Sequence, residues 1–361
     1  MRAPPPGRSS TRRVYARSMD SGVRGSPRRR IVLRVLSLVA AGVALYVFGP
    51  TLLAFVADAP LLLRIEPLWF PVLVATQAAS FVALWQLHHV ALRCDDRVVV
   101  ATSQLASNAF SRIVPGGAAA AGALQFRMLV QGGVSPASAA TGVTAVGVIT
   151  VGTLFALPIL AVPAVLAGAP VAGGLWQAAV IGGAAFLVLF GVGLAVMTGD
   201  RLLRAIARAV RGVAVRLGRA EPPAPGDDVA AALIAQRDDV RAALGQRWRQ
   251  AVAAAVGNRL LDYASLLIAL TAVGAAPRAS LVLLAYVAAT VLAMIPITPG
   301  GLGFVEAGLA AMLRLAGVPA PESVLATLAY RLVTYWLPLP AGAVAYWVFR
   351  RRIARGAVSP A

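Results

Sequence analysis

The chain has 361 residues, of which 59% are apolar and 13% are charged, and its mean hydropathy is +0.78. Soluble domains are usually about half apolar and about a quarter charged. This composition therefore excludes an ordinary cytosolic enzyme and indicates a protein whose solvent is mostly lipid. The single cysteine, Cys94, excludes an intramolecular disulfide.

Arginine supplies all 33 basic residues, and the net charge of +19 is unevenly distributed. Residues 1–34 hold ten arginines against one acid, residues 200–249 hold ten against six, and residues 350–355 add four. A basic protein can bind nucleic acid, but these blocks flank long apolar runs, as the positive-inside rule describes. We therefore expect the blocks to be cytoplasmic, and we expect no nucleic-acid partner.

The N-terminal residues 1–30 are rich in proline, glycine, serine and arginine, which predicts a disordered basic cytoplasmic tail. The apolar run 31–56 is too long for a signal-peptide core, and we interpret it as a retained first span. Translation from Met19 instead of Met1 would shorten the tail and leave the topology unchanged. The predicted organisation is a tail at 1–30, a transmembrane domain at 31–355 and a short C-terminal tail at 356–361.

Six apolar runs are long enough to cross a bilayer, which takes about 20 helical residues. They lie near 33–56, 68–92, 138–165, 175–198, 250–273 and 322–349. Two further stretches are interrupted, 98–131 by Pro115-Gly116-Gly117 (the first break) and 280–316 by Pro299-Gly300-Gly301 (the second break). Irregular backbone at membrane depth is tolerated where it is buried in protein or faces a wet cavity. The sequence predicts an all-α, polytopic transmembrane helical bundle of six full spans plus two re-entrant or broken helical hairpins.

The arginines support a topology with both termini in the cytoplasm. In that topology only Arg64, Arg278 and Arg314 lie on the opposite face. The asymmetry also holds with eight or more spans, because a hairpin whose arms both cross adds two crossings. The cytoplasmic loop 200–249 is amphipathic, which fits an in-plane interfacial helix or an ordinary packed loop helix. A second loop helix is predicted around 227–247.

The two interrupted stretches form an internal repeat. Residue 113 aligns with residue 297, and the offset of 184 residues holds without gaps to residues 134 and 318. The Pro-Gly-Gly breaks coincide, and so does a closing Gly-Val. In the expected topology the hairpins enter from opposite sides, so the repeat is inverted, as in many transporters whose interrupted helices lie at the substrate site. The alternative is that Pro-Gly-Gly is only a turn between short helices.

Charged residues inside the apolar runs are candidates for the site, because a charge at bilayer depth is costly and usually paired. We predict that Arg331 binds an anionic headgroup, since a guanidinium offers planar, bidentate donors to phosphate. We predict that Glu306, Asp262 and Arg259 form an intramembrane charge pair or proton relay. The alternative is that Glu306 and Arg331 are a structural ion pair that holds the hairpin against the last span, and the two hypotheses are compatible.

The first hairpin adds Asn108, Arg112 and Arg127 as candidates for headgroup binding. Arg112 precedes the first break, where a lipid phosphate would meet it; the alternative is that its side chain snorkels to the cytoplasmic interface. The residues expected to interrupt the helices are Pro115, Gly116, Gly117, Pro299, Gly300, Gly301 and Gly303. The sequence contains no nucleophile elbow, no Walker A motif, no HExxH and no Cys/His metal spacing. We therefore expect no enzymatic activity, no cofactor and no metal.

Residues 299–342, PGGLGFVEAGLAAMLRLAGVPAPESVLATLAYRLVTYWLPLPAG, resemble the C-terminal signature of the lysylphosphatidylglycerol synthase transmembrane region family, which are flippase-like integral membrane proteins. The features that match are the turn at Pro299–Gly303, Glu306, Gly317-Val318, Arg331 and the close at Pro338–Gly342. Asn108, the first break, Arg127 and Asp262 also resemble family positions, although AAAAGAL stands where members often carry an acidic residue. Bifunctional members add a soluble domain that transfers lysine from tRNA to phosphatidylglycerol. The resemblance, over residues 30–355, implies the flippase-like half without that aminoacyltransferase domain.

These observations predict a multi-pass protein of the bacterial plasma membrane that binds an anionic phospholipid or lipid-linked headgroup and moves it between leaflets. One alternative is a non-transporting membrane partner that presents lipid to an envelope-synthesis enzyme. Another is a secondary transporter of a small solute. The expected partners are anionic membrane lipids, with a second copy of the chain and an envelope-synthesis enzyme as further candidates.

Overall fold

The computed structural model describes residues 65–114 apart from Arg93 and Asp95, residues 117–161, 229–294 and 299–355, and isolated positions between 184 and 208. The predicted tails at 1–30 and 356–361 and the predicted span at 33–56 lie outside these residues, as do Pro115 and Gly116. The predicted span at 175–198 is described only at isolated positions.

The described residues form helices and connecting turns, with no strand among them, which confirms the all-α prediction for this part of the chain. In chain order the helices are α1 (Trp69–Leu92), α2 (Arg97–Ile113), α3 (Gly117–Gln131), α4 (Pro136–Ala156), α5 (Val229–Leu244), α6 (Trp248–Ala272), α7 (Ala279–Leu292), α8 (Phe304–Leu315), α9 (Ala320–Arg331) and α10 (Pro338–Ala354). Short 3₁₀ turns lie at Leu157–Ala161, Gly245–Arg247 and Pro299–Gly301, and a π-helical segment at Leu332–Trp336 joins α9 to α10.

Polar residues cap α2 and α4, where the first N–H groups of a helix have no partner inside the helix. Oδ1 of Asp96 accepts hydrogen bonds from the backbone N–H groups of Val98 and Val99, at 3.0 and 3.1 Å. Oγ of Ser135 accepts one from the N–H of Ser138 at 3.2 Å. Local sequence thus sets where these two helices begin.

Four helices are long and apolar enough to cross a membrane: α1, α4, α6 and the continuous helix Ala320–Ala354. They coincide with four of the six predicted spans. The third predicted span is shorter than expected, because α4 ends at Ala156 and continues as a 3₁₀ turn. The last is longer than expected: at 1.5 Å per residue its 35 residues extend about 50 Å, against about 30 Å of hydrocarbon.

Both interrupted stretches fold as helical hairpins whose two arms pack together, α2 against α3 and α7 against α8. The helices stop at both breaks, as predicted, although Gly117 is the first residue of α3 instead of part of the interruption. In the second hairpin Gly300, Gly301 and Gly303 have φ angles of 61°, 73° and 77°. This backbone region is strained for residues with a Cβ, which explains why the interruption is rich in glycine.

The internal repeat is also visible in how the second arm of each hairpin ends. Gly133 and Gly317, which are aligned in the sequence, have φ angles of 88° and 91°. The N–H of the following valine donates to a carbonyl five residues back in both hairpins, Val134 to Leu129 and Val318 to Leu313, each at 3.0 Å. This is the Schellman cap. A Schellman cap also ends α6, so the cap alone is not specific to the hairpins. What supports the repeat is that the two caps lie at the same distance from their breaks.

Tight packing places the two hairpins against the long helices. α6 packs along α1, α10 packs along α2, and the second break contacts α2. A large buried apolar cluster joins α6, α7, α8 and α9, with members such as Leu266, Val282, Leu309 and Ala326. Large apolar side chains such as Leu68, Val344 and Trp347 are exposed on the outside of this arrangement, as expected for a surface in contact with lipid.

The loop 200–249 contains α5, which matches the second helix predicted around 227–247. Arg237 of α5 forms ion pairs with Asp200 at 2.6 Å and with Asp238 at 2.8 Å. Hydrogen bonds to these two carboxylates raise the pKa of Arg237. Residues 209–228 lie outside the described part, so the alternatives for the amphipathic pattern both remain predictions.

Candidate functional site

A cavity of about 290 Å³ lies where α1, α2, α6, α7 and α9 meet. Its charged lining residues are Arg112, Arg259, Asp262 and Arg331. Its uncharged polar lining residues are Gln77, Ser80, Asn108, Thr150, Asn258, Tyr286, Thr290, Tyr330 and Thr334. The fold therefore brings predicted residues from the first hairpin, from the fifth predicted span and from the last predicted span to one polar cavity. Its volume is near the lower end for ligand pockets, which suits a headgroup and not acyl chains.

Arg331, at the end of α9, is buried and paired with Glu306 in the first turn of α8. The ion pair joins Nε of Arg331 to Oε1 of Glu306 at 2.6 Å, and Nη2 of Arg331 lies 3.5 Å from the carbonyl oxygen of Gly300. The structure thus contains the Glu306–Arg331 pair anticipated from the sequence. The pair ties the last long helix to the second break, and it leaves Arg331 on the cavity wall.

Tyr335 lies between the two arginines of the hairpins. Its ring centroid is 4.3 Å from Cζ of Arg331 and 5.2 Å from Cζ of Arg112. Both distances are within the range of a cation–π interaction, which offsets part of the repulsion between the cations. The hydroxyl group of Tyr335 donates to the carbonyl oxygen of Arg112 at 3.1 Å. One side chain therefore contacts both halves of the repeat.

Arg112 is held by neutral oxygens. Its Nε donates to Oδ1 of Asn108 at 3.0 Å, and its Nη1 donates to the carbonyl oxygen of Thr334 at 2.5 Å. That carbonyl would accept from residue 338 in an α-helix, but Pro338 has no N–H. The π-helical segment and Arg112 together compensate for the proline. These contacts direct Arg112 to the interior, and no ion pair among the described residues includes it.

Gly300 is the point where the second break touches the first hairpin. A Cβ at this position would clash with the carbonyl oxygen of Arg112 and with the hydroxyl group of Tyr335. The close approach and the positive φ both require glycine here. The second break and the end of α2, which are far apart in the chain, thus meet at Tyr335 beside the cavity.

Asp262 is satisfied by two tyrosines. The hydroxyl groups of Tyr286 and Tyr330 donate to its Oδ2 at 2.8 and 3.0 Å. That Glu306, Asp262 and Arg259 act as a charge pair or proton relay stays a prediction, and none of the ion pairs in the described part of the chain joins Asp262 to Arg259. Residues three apart lie on one helix face, but Asp262 bonds to α7 and α9 instead of to its own helix.

Arg259 lines the cavity with its Nε buried and without a hydrogen-bond partner. Oε2 of Glu306 is also buried and unpartnered, although Oε1 binds Arg331. Buried polar atoms are nearly always hydrogen-bonded. These two exceptions therefore mark the site as polar and incompletely satisfied.

The predicted site residues divide into three groups. Asn108, Arg112, Arg259, Asp262 and Arg331 line the cavity. Glu306 lies behind Arg331 as its partner. Arg127 is exposed on α3 and is absent from the lining, so the structure does not bring it to the other candidates.

Sequence reasoning missed Tyr286, Tyr330 and Tyr335, which make the principal neutral contacts to the charged residues. A signal was present, because a phenol hydroxyl in an apolar run usually finds a polar partner when buried. It also missed the contact between α1 and α6, where Nδ2 of Asn258 donates to Oγ of Ser80 at 2.8 Å beside the cavity. These residues do not form a motif in the sequence, since their spacing reflects packing.

The comparison with known families agrees with this geometry. Residues 21–342 match the family model described as Lysylphosphatidylglycerol synthase TM region. The chain belongs to this family. The match includes both breaks and all the charged cavity residues. No curated protein matches the chain. Family membership and the four candidate spans make the chain a membrane protein of a lipid-related family.

Proposed function

We propose that this family member binds the anionic headgroup of a membrane lipid in the cavity and moves it between the two leaflets. The observation that carries the proposal is the charge of the lining, three arginines against one carboxylate. Guanidinium groups suit phosphate because their planar donors match its oxygens. The headgroup would occupy the polar cavity while the acyl chains stay in lipid.

The contact between the second break and the end of α2 supports movement in addition to binding. Interrupted helices in corresponding halves of an inverted repeat are the usual place of the substrate site in transporters. Here Tyr335 contacts both halves, so a displacement of one hairpin would change the surroundings of both Arg112 and Arg331. The protein would act without catalysis, as a carrier and not as an enzyme.

The proposed setting is the plasma membrane of a bacterium, with both termini and the loop 200–249 in the cytoplasm. Topology can be tested with the Cys94→Ser background and a single cysteine introduced by Ala220→Cys. An impermeant thiol reagent should label this cysteine in permeabilised cells only. Labelling from outside intact cells would contradict the orientation.

Reconstitution tests the activity. Purified protein in liposomes should expose a tail-labelled phosphatidylglycerol of the inner leaflet to an impermeant quencher faster than empty liposomes do. Labelled phosphatidylcholine should move more slowly, because it carries no net negative charge. Binding of the anionic lipid without movement would favour the non-transporting partner instead. Absence of any preference for the anionic lipid would reject the proposal.

A further inference from the structure

Arg259 is the cavity arginine with the fewest partners in the protein. Arg331 has Glu306, and Arg112 has two neutral acceptors. Arg259 is half-buried and forms none of the ion pairs found among the described residues. Its side chain donates a hydrogen bond to the hydroxyl group of Tyr286, and its buried Nε has no hydrogen-bond partner. A cation at membrane depth without a carboxylate partner is unfavourable. An anionic group of a bound ligand would therefore stabilise Arg259 on the cavity wall.

The nearest carboxylate in the sequence does not take that role. Asp262 follows Arg259 by three residues on α6, yet its Oδ2 accepts from Tyr286 and Tyr330. Two hydroxyl donors thus satisfy one oxygen of the carboxylate without a cation. Asp262 has partners of its own, and Arg259 has no carboxylate partner among the described residues.

The charge of the whole site indicates what kind of headgroup fits. Arg112, Arg259 and Arg331 stand against the two carboxylates of Asp262 and Glu306, which leaves one net positive charge. A headgroup with one net negative charge neutralises the site. A zwitterionic headgroup leaves the excess charge in place, and a headgroup with an added lysine increases it.

We infer that Arg259 is a headgroup-binding residue that contacts the phosphate, and that the cavity selects a singly anionic headgroup over zwitterionic and lysine-bearing ones. This inference rests on the proposed function and adds to it the residue and the charge class that decide selectivity. Arg259 would donate through its unpartnered Nε and its terminal nitrogens, on a different helix from Arg112 and Arg331.

The test compares Arg259→Gln with Arg314→Gln, a control in which an exposed arginine outside the cavity loses the same charge. Full-length protein in detergent is heated alone and with phosphatidylglycerol, phosphatidylcholine or lysyl-phosphatidylglycerol. Wild type should be stabilised most by phosphatidylglycerol. Arg259→Gln should unfold at the wild-type temperature or higher without lipid, since it removes a charge that has no carboxylate partner at membrane depth. Its affinity for phosphatidylglycerol should fall about tenfold or more, the usual effect of losing a charge-assisted hydrogen bond.

Arg259→Lys provides the second variant, because it keeps the charge and loses Nε and the planar donors. It should retain the preference for phosphatidylglycerol over lysyl-phosphatidylglycerol with a weakened affinity. The Arg314→Gln control should bind as wild type does.

The outcomes separate this inference from the proposed function. Unchanged phosphatidylglycerol affinity in Arg259→Gln, or failure of that variant to fold, would overturn the role of Arg259 and leave the proposed function intact. Wild-type binding of lysyl-phosphatidylglycerol as tight as that of phosphatidylglycerol would overturn the charge selection alone. A wild type that does not distinguish phosphatidylglycerol from phosphatidylcholine would reject both.

Discussion

The two hairpins share a backbone design and differ in how they contribute to the charge of the site. Glu306 of the second hairpin supplies a carboxylate that pairs with Arg331 of α9 at 2.6 Å. In the first, Arg112 is held by an amide oxygen and a backbone carbonyl, both neutral. At the repeat offset of 184 residues, Glu306 aligns with Gly122, so the first hairpin has no acid at the matching position. The repeat therefore preserves the break and not the charge balance.

This difference explains the net charge of the cavity. Two hairpins with matching ion pairs would leave only Arg259 and Asp262 to set the charge of the site, and these two cancel. Because the first hairpin lacks its carboxylate, one positive charge remains. The asymmetry between the hairpins, and not the repeat itself, leaves the site with an excess of positive charge.

The largest expected effect comes from breaking the charged pair of the second hairpin. Glu306→Gln should leave Arg331 buried without a carboxylate and destabilise the protein by about 3–5 kcal/mol. The double variant Glu306→Gln/Arg331→Gln should recover much of the loss, because it removes both charges. Thermal unfolding in detergent measures both effects.

The control for that experiment is the pair between Arg352 and Asp96, which are 2.9 Å apart with side chains about 30% exposed. Arg352→Gln should cost about 1 kcal/mol or less, because solvent screens this pair. Equal losses for Glu306→Gln and Arg352→Gln would show that burial does not matter at the second break. Normal lipid binding by a stable double variant would show that Arg331 has only a structural role. Arg112 and Arg259 would then be the residues that bind the headgroup.

A somewhat smaller effect is expected where the two hairpins touch. Gly300→Ala combines a positive φ with a clash against the first hairpin, and it should cost about 3 kcal/mol. Gly317→Ala is the matched control, since its φ is 91° but an added Cβ meets nothing within 4 Å. It should cost about 1–2 kcal/mol, from backbone strain alone. Similar unfolding temperatures for the two variants would mean that the contact between the breaks is loose.

The residue shared by both hairpins should show a graded response. Tyr335→Phe removes the hydrogen bond to Arg112 and keeps the ring, so it should cost about 1 kcal/mol. Tyr335→Leu also removes the aromatic face from both guanidinium groups and should cost more. Lipid movement in liposomes should follow the same order. If the phenylalanine variant is as defective as the leucine variant, the hydroxyl contact is the element that matters.

The smallest effect is expected at Arg127, the candidate that the structure leaves outside the cavity. Arg127→Gln should change the free energy of unfolding by less than about 0.5 kcal/mol, as for most exposed positions. Phosphatidylglycerol binding, measured in parallel with Arg112→Gln, should be unchanged in Arg127→Gln and reduced in Arg112→Gln. The reverse order would place the headgroup on α3 and away from the cavity.

Much of the fold followed from the sequence because its signals are local. A run of apolar residues specifies a span wherever it occurs, and four predicted spans correspond to helices of the structure. Proline and glycine interrupt a helix through their own backbone, so both hairpins were predictable. The irregular segment between α9 and α10 was not predictable from the sequence. The π-helical segment at Leu332–Trp336 depends on Pro338 together with its packing against α2.

The site was predictable only in its charged members. Arg331, Glu306, Asp262, Arg259 and Arg112 stood out because a charge in an apolar run is costly wherever it points. Tyr286, Tyr330 and Tyr335 did not, since a tyrosine fits an apolar run with or without a partner. The sequence also did not predict which partner each charged residue has. Asp262, for example, binds tyrosines of α7 and α9 and not a residue in the neighbouring turn of α6.

By itself, the sequence determined that this protein is a helical membrane protein with two interrupted hairpins and a few charges at depth. Composition, periodicity and proline placement determine the structure of a segment through residues close to one another in the chain. They can therefore be interpreted without knowing which helices pack against that segment. Only the tertiary structure decided which charges share a cavity, that Tyr335 links the end of α2 to the second break, and that Arg127 stays outside. It also decided that Arg259 has no carboxylate partner among the described residues. Those facts depend on distances between residues that are far apart in the chain, which packing fixes and local sequence does not encode.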